Sequence, residues 1–318
     1  MKMKKKVVIF TDTGVDDAFA LIYALKHPNL NVLAILAGYG NVSKEKATRN
    51  VYYLLKETNN TDIPIISGAS KSLAGDSPTF YEEIHGYSGL GEIETEIEKF
   101  SVLNFDQFYT ILDENKDVTL VNLGRLTSLA MTYITAPDIM NKISDLVIMG
   151  GAFLVPGNVT PYAEANFYAD PTAASVVINN SSPENVTLVP LNITEKAILT
   201  TDVLDTIVQQ SVTKLGSLLE ELFRPYFKFY QKKNTNLKGA PLHDLTAMIY
   251  VSNPSLFKSL FRNVTVVDDS YFASGLTIAD FRSNPTLQKN SNNYCRILLQ
   301  VDEKRLMEEF KRIIIGSV

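Results

Sequence analysis

The sequence is poor in the residues that build most transition-metal and redox centres. Among its 318 residues there is one cysteine, Cys295, and there are three histidines, His27, His85 and His243. A single cysteine excludes an internal disulfide, and it excludes cysteine-cluster zinc and iron–sulfur sites as well. Three scattered histidines disfavour a histidine-rich transition-metal site. Any metal is therefore expected to be bound by oxygen atoms, which favours Ca²⁺ or Mg²⁺.

A basic surface and a long apolar run are also missing. The net charge is −5 and the pI is about 5.4, which argues against a general nucleic-acid-binding protein. No apolar run approaches the length of a membrane span. The basic start MKMKKK is followed only by VVIF before polar residues appear, which is too short for the core of a signal peptide. A cytoplasmic protein is therefore expected.

Short apolar runs alternate with helix-like segments along the chain. Strands are predicted at 7–10, 31–40, 63–66, 118–124, 145–151 and 186–194, and helices at 18–26, 44–57 and 127–135. Continuous apolar runs are typical of parallel strands with helices on both faces, and the alternation predicts βαβ units. The expected fold class is α/β with a mostly parallel central sheet, in a single domain 1–318. Long loops are expected around His85 and before His243.

Polar segments follow several of the predicted strands. In open α/β sheets ligands bind beyond the carboxyl ends of the strands, so these segments are candidates for a site. They are TDTGVDD at 11–17, GYGNVS at 38–43, LGRLTS at 123–128 and a long loop at 150–171. The long loop carries Asn158, Glu164 and Asn166. Each is an ordinary loop residue when taken alone, but their convergence on one edge of the sheet favours a binding site.

Three aspartates, Asp12, Asp16 and Asp17, lie within six positions where a strand gives way to a helix. Thr13 and Asp16 fit a helix-capping box, apart from the shorter acid, and acids in a first helical turn complement the helix dipole. Capping does not account for Asp12, because adjacent carboxylates in a partly dry crevice repel one another. A divalent cation removes that repulsion, so a metal site is predicted. Asp244, in the segment PLHD, is a candidate fourth acid, although a helix cap also explains it.

The motifs and their order resemble those of the inosine–uridine preferring nucleoside hydrolases along nearly the whole chain. The family signature DTDPGxDDA stands here as FTDTGVDDA at 10–18. It is followed by GNV at 40–42, HGYSGLG at 85–91, MGGAF at 149–153, GNVTPYAEANFYADP at 157–171 and PLHD at 241–244. The resemblance implies a Rossmann-like nucleoside hydrolase fold. It also implies hydrolysis of the N-glycosidic bond of ribonucleosides to free base and ribose, a reaction of purine and pyrimidine salvage.

The resemblance further implies a Ca²⁺ site and a set of catalytic residues. The implied metal ligands are Asp12, Asp17, Asp244 and the main-chain carbonyl of Leu123. Asp12 is implied to be the general base that activates a metal-bound water, and His243, with a pKa near neutrality, the acid that protonates the leaving base. The implied or candidate substrate contacts are Asp16, Asn41, His85, Asn158, Glu164, Asn166, Tyr226 and Tyr230. Members of the family are usually dimers or tetramers, so a homodimer or homotetramer is expected.

Several residues depart from the family pattern. Phe10 replaces the first aspartate of the signature, Thr13 replaces its proline, and Arg125 stands where a proline is usual. Positions 10 and 13 supply no metal ligand in the family, so the site is expected to survive, although Phe10 can alter the orientation of Asp12. The purine-specific branch stacks the base on tryptophans, and the chain has none, which speaks against that branch. The sequence leaves the preference between purine and pyrimidine nucleosides open.

Two other interpretations compete with the nucleoside hydrolase. FTDTG is similar to the DxDxT motif of haloacid-dehalogenase-like phosphatases, but Phe10 stands where the nucleophilic aspartate is needed. The second alternative is a catalytically impaired nucleoside- or ribose-binding protein of the same fold, since a fold does not determine a function.

Overall fold

The structure is a computed structural model that describes residues 3–95, 99–182 and 184–316, so Met1 and Lys2 of the basic start lie outside it. The strands are β1 (Lys5–Thr11), β2 (Leu30–Ala37), β3 (Ile65–Ser67), β4 (Val118–Asn122), β5 (Asp145–Met149), β6 (Val186–Val189), β7 (Ile198–Thr200), β8 (Gly239–Pro241), β9 (Phe257–Val266), β10 (Thr277–Ala279) and β11 (Tyr294–Val301). The helices are α1 (Val15–Lys26), α2 (Lys44–Glu57), α3 (Glu82–His85), α4 (Gln107–Glu114), α5 (Thr127–Thr135), α6 (Pro137–Met140), α7 (Ala165–Ala169), α8 (Pro171–Asn180), α9 (Leu191–Thr194), α10 (Thr201–Gln210), α11 (Leu215–Lys233), α12 (His243–Ser252) and α13 (Glu303–Ile315).

Within the described residues, nine strands form one sheet in the order β10-β9-β11-β6-β5-β4-β1-β2-β3. Strands β1 to β6 and β11 run parallel, which confirms the predicted mostly parallel sheet. Strand β9 runs antiparallel to both of its neighbours, β10 and β11, and this antiparallel edge was not predicted. Strands β7 and β8 form a separate antiparallel pair.

Helices cover both faces of the sheet because alternate residues of its buried strands point to opposite sides. In β1, Val7 and Ile9 enter one core together with residues of α1, α11, α12 and α13. Val8 and Phe10 enter the other core, with residues of α4, α5 and α8. The ring of Phe10 lies edge-on to that of Phe108, with 5.2 Å between the ring centroids. Phe10 therefore contributes to a hydrophobic core, where the family signature has an aspartate.

Several element boundaries differ from the predictions. Helices α2 and α5 coincide with the predicted segments, whereas α1 begins three residues earlier than expected. The predicted strand 186–194 divides into β6 and the one-turn helix α9, because Pro190 has no N–H to continue the strand pairing. The loop expected around His85 contains the one-turn helix α3, and the 19-residue helix α11 occupies much of the segment before His243.

The strand order places the carboxyl ends of β1 and β4 side by side. The chain moves from β1 to β2 and β3 on one side and from β4 to β5 and β6 on the other, so the order reverses between β1 and β4. Open α/β sheets bind ligands in the crevice at such a reversal. Asp12 follows β1 and Leu123 follows β4, so two predicted site residues lie at this point. None of the described helices is long and apolar enough to cross a membrane.

Candidate active site

A cavity of about 340 Å³ opens at the point where the strand order reverses. The sequence-predicted residues that line it are Asp16, Asn41, His85, Leu123, Asn158, Glu164, Asn166, Tyr226, Tyr230, His243 and Asp244. Asp12 and Asp17 are not among its lining residues; both are buried and contact Asn41 in its wall. The structure thus brings together segments that are more than 200 positions apart in the sequence.

Four aspartates form a buried carboxylate cluster beside the cavity. Carboxylate oxygens of Asp16, Asp17 and Asp244 lie within 4.8 Å of one another. Asp12 is outside this trio, but its charge contributes to raising the pKa of Asp244. Burial is the largest cause that raises the pKa of all four, and repulsion from Asp17 is the next cause for Asp12 and Asp16. The pKa of Asp16 rises to about 8.

The cluster has the chemistry of a site for a hard cation. The Oδ1 atom of Asp16 is buried and has no hydrogen-bond partner among the described residues. Clustered carboxylates with an unsatisfied oxygen fit Ca²⁺, which takes six to eight oxygen ligands. The trio differs from the predicted ligand set, because it includes Asp16 and leaves out Asp12. The ligand set Asp12, Asp17, Asp244 and Leu123 stays a prediction.

Asn41 holds two of these carboxylates in place. Its backbone N–H donates to Oδ2 of Asp12 (3.1 Å), and its side-chain amide donates to Oδ1 of Asp12 (3.1 Å) and to Oδ2 of Asp17 (2.9 Å). Two glycines enclose the Asp12 side chain. A Cβ atom on Gly40 would lie 1.5 Å from Oδ2 of Asp12, and one on Gly124 would lie 2.7 Å from its Cγ. The carboxylate of Asp12 therefore depends on residues from two separate loops, those that follow β2 and β4.

The start of α1 differs from the predicted capping box. Gly14 is the residue that precedes the helix, and its N–H donates to Oδ2 of Asp17 (2.9 Å). The hydroxyl of Thr11 donates to Oδ1 of Asp17 (2.6 Å). Asp17 is the third helical residue, from which a carboxylate reaches back to the N–H of the cap residue. The capping role predicted for Thr13 and Asp16 therefore belongs to Gly14 and Asp17, which leaves Asp16 free to face the cavity.

The long loop after β5 supplies a second set of polar side chains. Glu164 caps α7 and accepts hydrogen bonds from the backbone N–H groups of Gly151, Asn166 and Phe167. Burial raises the pKa of Glu164 to about 7. The amide of Asn166 donates to the carbonyls of Leu123 (2.7 Å) and Met149 (3.2 Å), so it joins the ends of β4 and β5. A carbonyl has two lone pairs, so this bond leaves Leu123 a second position for a ligand.

Asn158 is the most loosely held of the predicted contacts. Its side chain is exposed, and its Oδ1 accepts a hydrogen bond from the N–H of Ala165 (3.0 Å). The side-chain amide group of Asn158 is thereby directed by the loop while its nitrogen remains available to a ligand.

The two histidines of the cavity are neutral at pH 7. Burial lowers the pKa of His243 to about 4, so the expectation of a pKa near neutrality is not met. Burial and the neighbouring His243 lower the pKa of His85 to about 3. The Nδ1 atom of His243 lies 2.8 Å from the hydroxyl of Thr194, and Nδ1 of His85 accepts the N–H of Val15 (3.1 Å). Each ring is thus held by a hydrogen bond to an uncharged group. Burial keeps both rings neutral, because a charged imidazolium would be poorly solvated there.

One wall of the cavity is a single face of α11. Tyr226, Phe229, Tyr230 and Lys233 line it at intervals of three and four residues, the spacing of neighbours on one helix face. The hydroxyl of Tyr226 donates to the carbonyl of Pro241 (3.0 Å) and lies 3.3 Å from that of Tyr230. Tyr226 and Tyr230 were predicted, whereas Phe229 and Lys233 were missed. The helical spacing of the two tyrosines could have identified Phe229 and Lys233 as residues of the same helix face.

Other lining residues were also missed by the sequence analysis. They are Tyr81, Glu83, Ile84, Met149, Val159, Glu195 and Pro241. Residues 81–84 belong to a segment expected to be a loop, and nothing in their order distinguishes them from surface residues. Thr194, which contacts His243, likewise has no sequence signal, because its role depends on a residue 49 positions away.

The family model described as inosine-uridine preferring nucleoside hydrolase matches residues 7–308 of the chain. The chain belongs to this family. This match confirms the family and the fold that the motifs predicted. The relatives of this nucleoside hydrolase are named as nucleosidases and ribonucleoside hydrolases, so its enzyme class is that of an N-ribosyl hydrolase.

Similar proteins carry names that point to different nucleosides. The pyrimidine-specific ribonucleoside hydrolase RihA of Escherichia coli is 33% identical over 284 residues, 88% of this chain and 89% of that protein. A probable uridine nucleosidase 2 of Arabidopsis thaliana is 33% identical over 280 residues, 86% of this chain and 85% of that protein. The solved purine-preferring ribonucleoside hydrolase from Gardnerella vaginalis is 30% identical with a TM-score of 0.89, covering 98% of this chain and 99% of that one. Membership of the nucleoside hydrolase family therefore does not decide which base is preferred.

Proposed function

We propose that this nucleoside hydrolase requires Ca²⁺ to split the N-glycosidic bond of ribonucleosides of the inosine and uridine type into free base and ribose. The observation that carries the proposal is the buried cluster of four aspartates at the edge of a cavity in the usual size range for small molecules. A cluster of this kind is unfavourable without a cation, because burial raises the pKa of each carboxylate and repulsion between them raises the pKa of Asp12, Asp16 and Asp244 further.

The ion would be held by Asp12, Asp17, Asp244 and the carbonyl of Leu123, with Asp16 close enough to Asp17 and Asp244 to share it. When bound, Ca²⁺ supplies a positive charge that keeps these carboxylates ionised, lowers the pKa of a coordinated water and offers positions for sugar hydroxyls. We assign the recognition of the ribose to the polar side chains of the cavity wall: Asp16, Asn41, Asn158, Glu164 and Asn166.

Asp12 is assigned as the general base. Its two oxygens are oriented by the N–H groups of Asn41, which holds the carboxylate in a fixed position for proton transfer. It accepts a proton from the attacking water while the water oxygen bonds to C1′ of the ribose. The bond between C1′ and the base breaks, and its electron pair leaves with the base. Positive charge develops on the ribosyl ring during this step, and the surrounding carboxylates stabilise it.

His243 is assigned as the residue that donates a hydrogen bond to the leaving base. When the Thr194 hydroxyl donates to Nδ1, the neutral ring carries its proton on Nε2 and donates it as a hydrogen bond to the departing nitrogen, which stabilises the negative charge that develops on the base. The aromatic face formed by Tyr226, Phe229 and Tyr230 supplies the apolar contact area for the base. The hydroxyl of Tyr226 donates to the carbonyl of Pro241, so the hydroxyl of Tyr230 is the one available to the base.

Release of ribose from inosine, uridine and cytidine, measured with and without a calcium chelator, tests the proposal. We expect release from at least one nucleoside, loss of release with the chelator and recovery on addition of Ca²⁺. Release that is indifferent to the chelator would contradict the metal requirement. Binding of nucleosides without release would favour the alternative of a binding protein with the same fold.

Two further expectations stay proposals. We propose that the chain acts as a homodimer or homotetramer and that it acts in the cytoplasm. Light scattering on the purified protein measures the first, and fractionation of the source cells measures the second.

A further inference from the structure

Arg125 joins two loops that border the active site. Its side chain is 8% exposed, and its Nη2 atom donates to the carbonyl of Gly40 (3.0 Å) and to the carbonyl of Thr79. The guanidinium carbon lies 4.8 Å from the ring centroid of Tyr39 and 6.0 Å from that of Tyr81. No carboxylate of the described residues lies within ion-pair distance of it, so Arg125 is held by carbonyls and aromatic rings.

The two carbonyls lead to the two halves of the site. Gly40 precedes Asn41, whose N–H groups hold Asp12 and Asp17. Thr79 lies two residues before Tyr81, and the N–H of Tyr81 donates to the carbonyl of Asn41 (3.0 Å). Arg125 therefore links the two loops at Gly40 and Thr79, and the hydrogen bond between Tyr81 and Asn41 links them a second time.

The second loop continues directly into the wall of the cavity. Tyr81, Ile84 and His85 all line it, and His85 is in turn bonded to the N–H of Val15 at the start of α1. The Nη2 atom donates to both carbonyls and so ties them together, and the guanidinium plane that carries it lies beside the rings of Tyr39 and Tyr81, a contact that a flexible ammonium makes less well. Removing Arg125 would thus loosen the segment 79–85 and the Asn41 loop together.

We propose that Arg125 is a positioning residue that fixes the grip of Asn41 on Asp12 and Asp17 and the attachment of segment 79–85 to the cavity. The inference rests on the proposed calcium site for its effect on the carboxylates. It concerns a position where the chain departs from the family pattern, and Arg125 touches neither the cavity nor the carboxylates through a hydrogen bond.

Two substitutions separate this role from a contribution of charge alone. Arg125→Lys keeps the positive charge near Asp12 but loses the planar guanidinium, and Arg125→Gln loses both. Arg262→Gln is the matched control, because Arg262 also donates to two backbone carbonyls, those of Asp280 (2.6 Å) and Phe261 (2.8 Å), and does not line the cavity. If Arg125→Gln fails to fold, Arg125→Lys carries the test.

Two measurements are made on each variant: the Kd for Ca²⁺ by calorimetry, and hydrogen exchange of the Tyr81 amide in calcium-free enzyme. We expect both Arg125 variants to bind Ca²⁺ about 10-fold more weakly, the lower end of the loss seen when a direct partner of metal ligands is removed, because Arg125 acts on the ligands through Asn41. We expect the Tyr81 amide to exchange faster in both and the Arg262→Gln control to match the wild type in both measurements.

The outcomes that overturn the inference are distinct from failure of the proposed function. Wild-type values for Arg125→Lys in both measurements would mean that charge alone matters. Faster exchange with unchanged Ca²⁺ affinity would break the link between Arg125 and the carboxylates. If the wild type itself fails to bind Ca²⁺, the proposed function fails, and the exchange of the Tyr81 amide still decides whether Arg125 holds segment 79–85.

Discussion

The carboxylate floor of the cavity and its aromatic wall on α11 are built in opposite ways. The floor is the buried cluster of Asp12, Asp16, Asp17 and Asp244, of which only Asp16 and Asp244 line the cavity itself. Asp12 accepts two hydrogen bonds from Asn41, and Asp17 accepts one each from Thr11, Gly14 and Asn41. The wall becomes more exposed along the helix, from buried Tyr226 through Phe229 to exposed Lys233. The comparison suggests a division of roles, in which the rigid floor carries out the chemistry common to all nucleosides and the wall selects the base.

The largest effect is expected when the floor loses its base. Asp12→Asn keeps the shape of the side chain but removes the acceptor of the proton, so the rate of ribose release should fall about 10²- to 10⁴-fold or more. Asp302→Asn is the control, because Asp302 caps α13 through a single oxygen, as asparagine can, and does not line the cavity. The rate with saturating uridine measures both. An active Asp12→Asn enzyme would remove the assigned role.

The next effect concerns pH and calcium. The pKa of Asp16 is about 8 in the folded chain and 3.8 when unperturbed, and that of Glu164 is about 7 instead of 4.5. A carboxyl group whose pKa is higher in the folded chain than in the unfolded chain stabilises the fold at a pH below its unfolded pKa. That stabilisation is lost as the pH rises through the folded pKa. Calcium-free enzyme should therefore lose stability between pH 6.5 and 8, by at most about 1.4 kcal/mol per pH unit for each of the two groups.

This pH window avoids the opposing effect of the buried histidines. The lowered pKa values of His243 (about 4) and His85 (about 3) reduce stability only as the pH falls below the unfolded value near 6.5. Calcium neutralises the repulsion in the floor, so the gain in Tm on adding Ca²⁺ should be larger at pH 8 than at pH 6.5. Asp16→Asn should reduce that difference. A gain that does not change with pH would argue against ionised carboxylates as the ligands.

A smaller effect is expected where floor and wall meet, at His243. Thr194→Val removes the hydroxyl that sets the ring's proton position and should slow release from uridine about tenfold, the effect of losing one hydrogen bond. Release from p-nitrophenyl riboside should change little, because its leaving group needs no proton. His243→Ala should show the same selectivity with a larger loss. Thr132→Val, which removes another buried threonine hydroxyl bonded to a carbonyl, is the control. Equal losses on both substrates would exclude His243 as the donor.

The smallest effect is expected in the wall. Tyr230→Phe removes one hydroxyl and should change KM for uridine relative to inosine by about 2- to 10-fold, the usual cost of one hydrogen bond. The kcat should stay near that of the wild type, because the floor is untouched. The assignment of base selection to the wall is contradicted if Tyr230→Phe lowers kcat for both nucleosides equally and leaves the ratio of their KM values unchanged.

The floor could be predicted from the sequence, whereas half of the wall could not. Asp12 and Leu123 end neighbouring parallel strands, so the sheet itself brings them together. The wall depends on how α11 packs, and Phe229 and Lys233 are ordinary residues of an amphipathic helix until that packing is known. The low pKa of His243 is also beyond prediction from the sequence, because it arises from burial by distant segments. The partners of Arg125 are backbone carbonyls, which every residue has.

Gly40 and Gly124 give the site an unusual mutational profile. Neither offers a functional group, yet any side chain at Gly40 would overlap the carboxylate of Asp12, and one at Gly124 would press on the same group. A library that substitutes every position and scores ribose release should therefore rank these two glycines with Asp12 among the least tolerant positions. Activity scores alone would then identify as catalytic two residues whose contribution is to leave space.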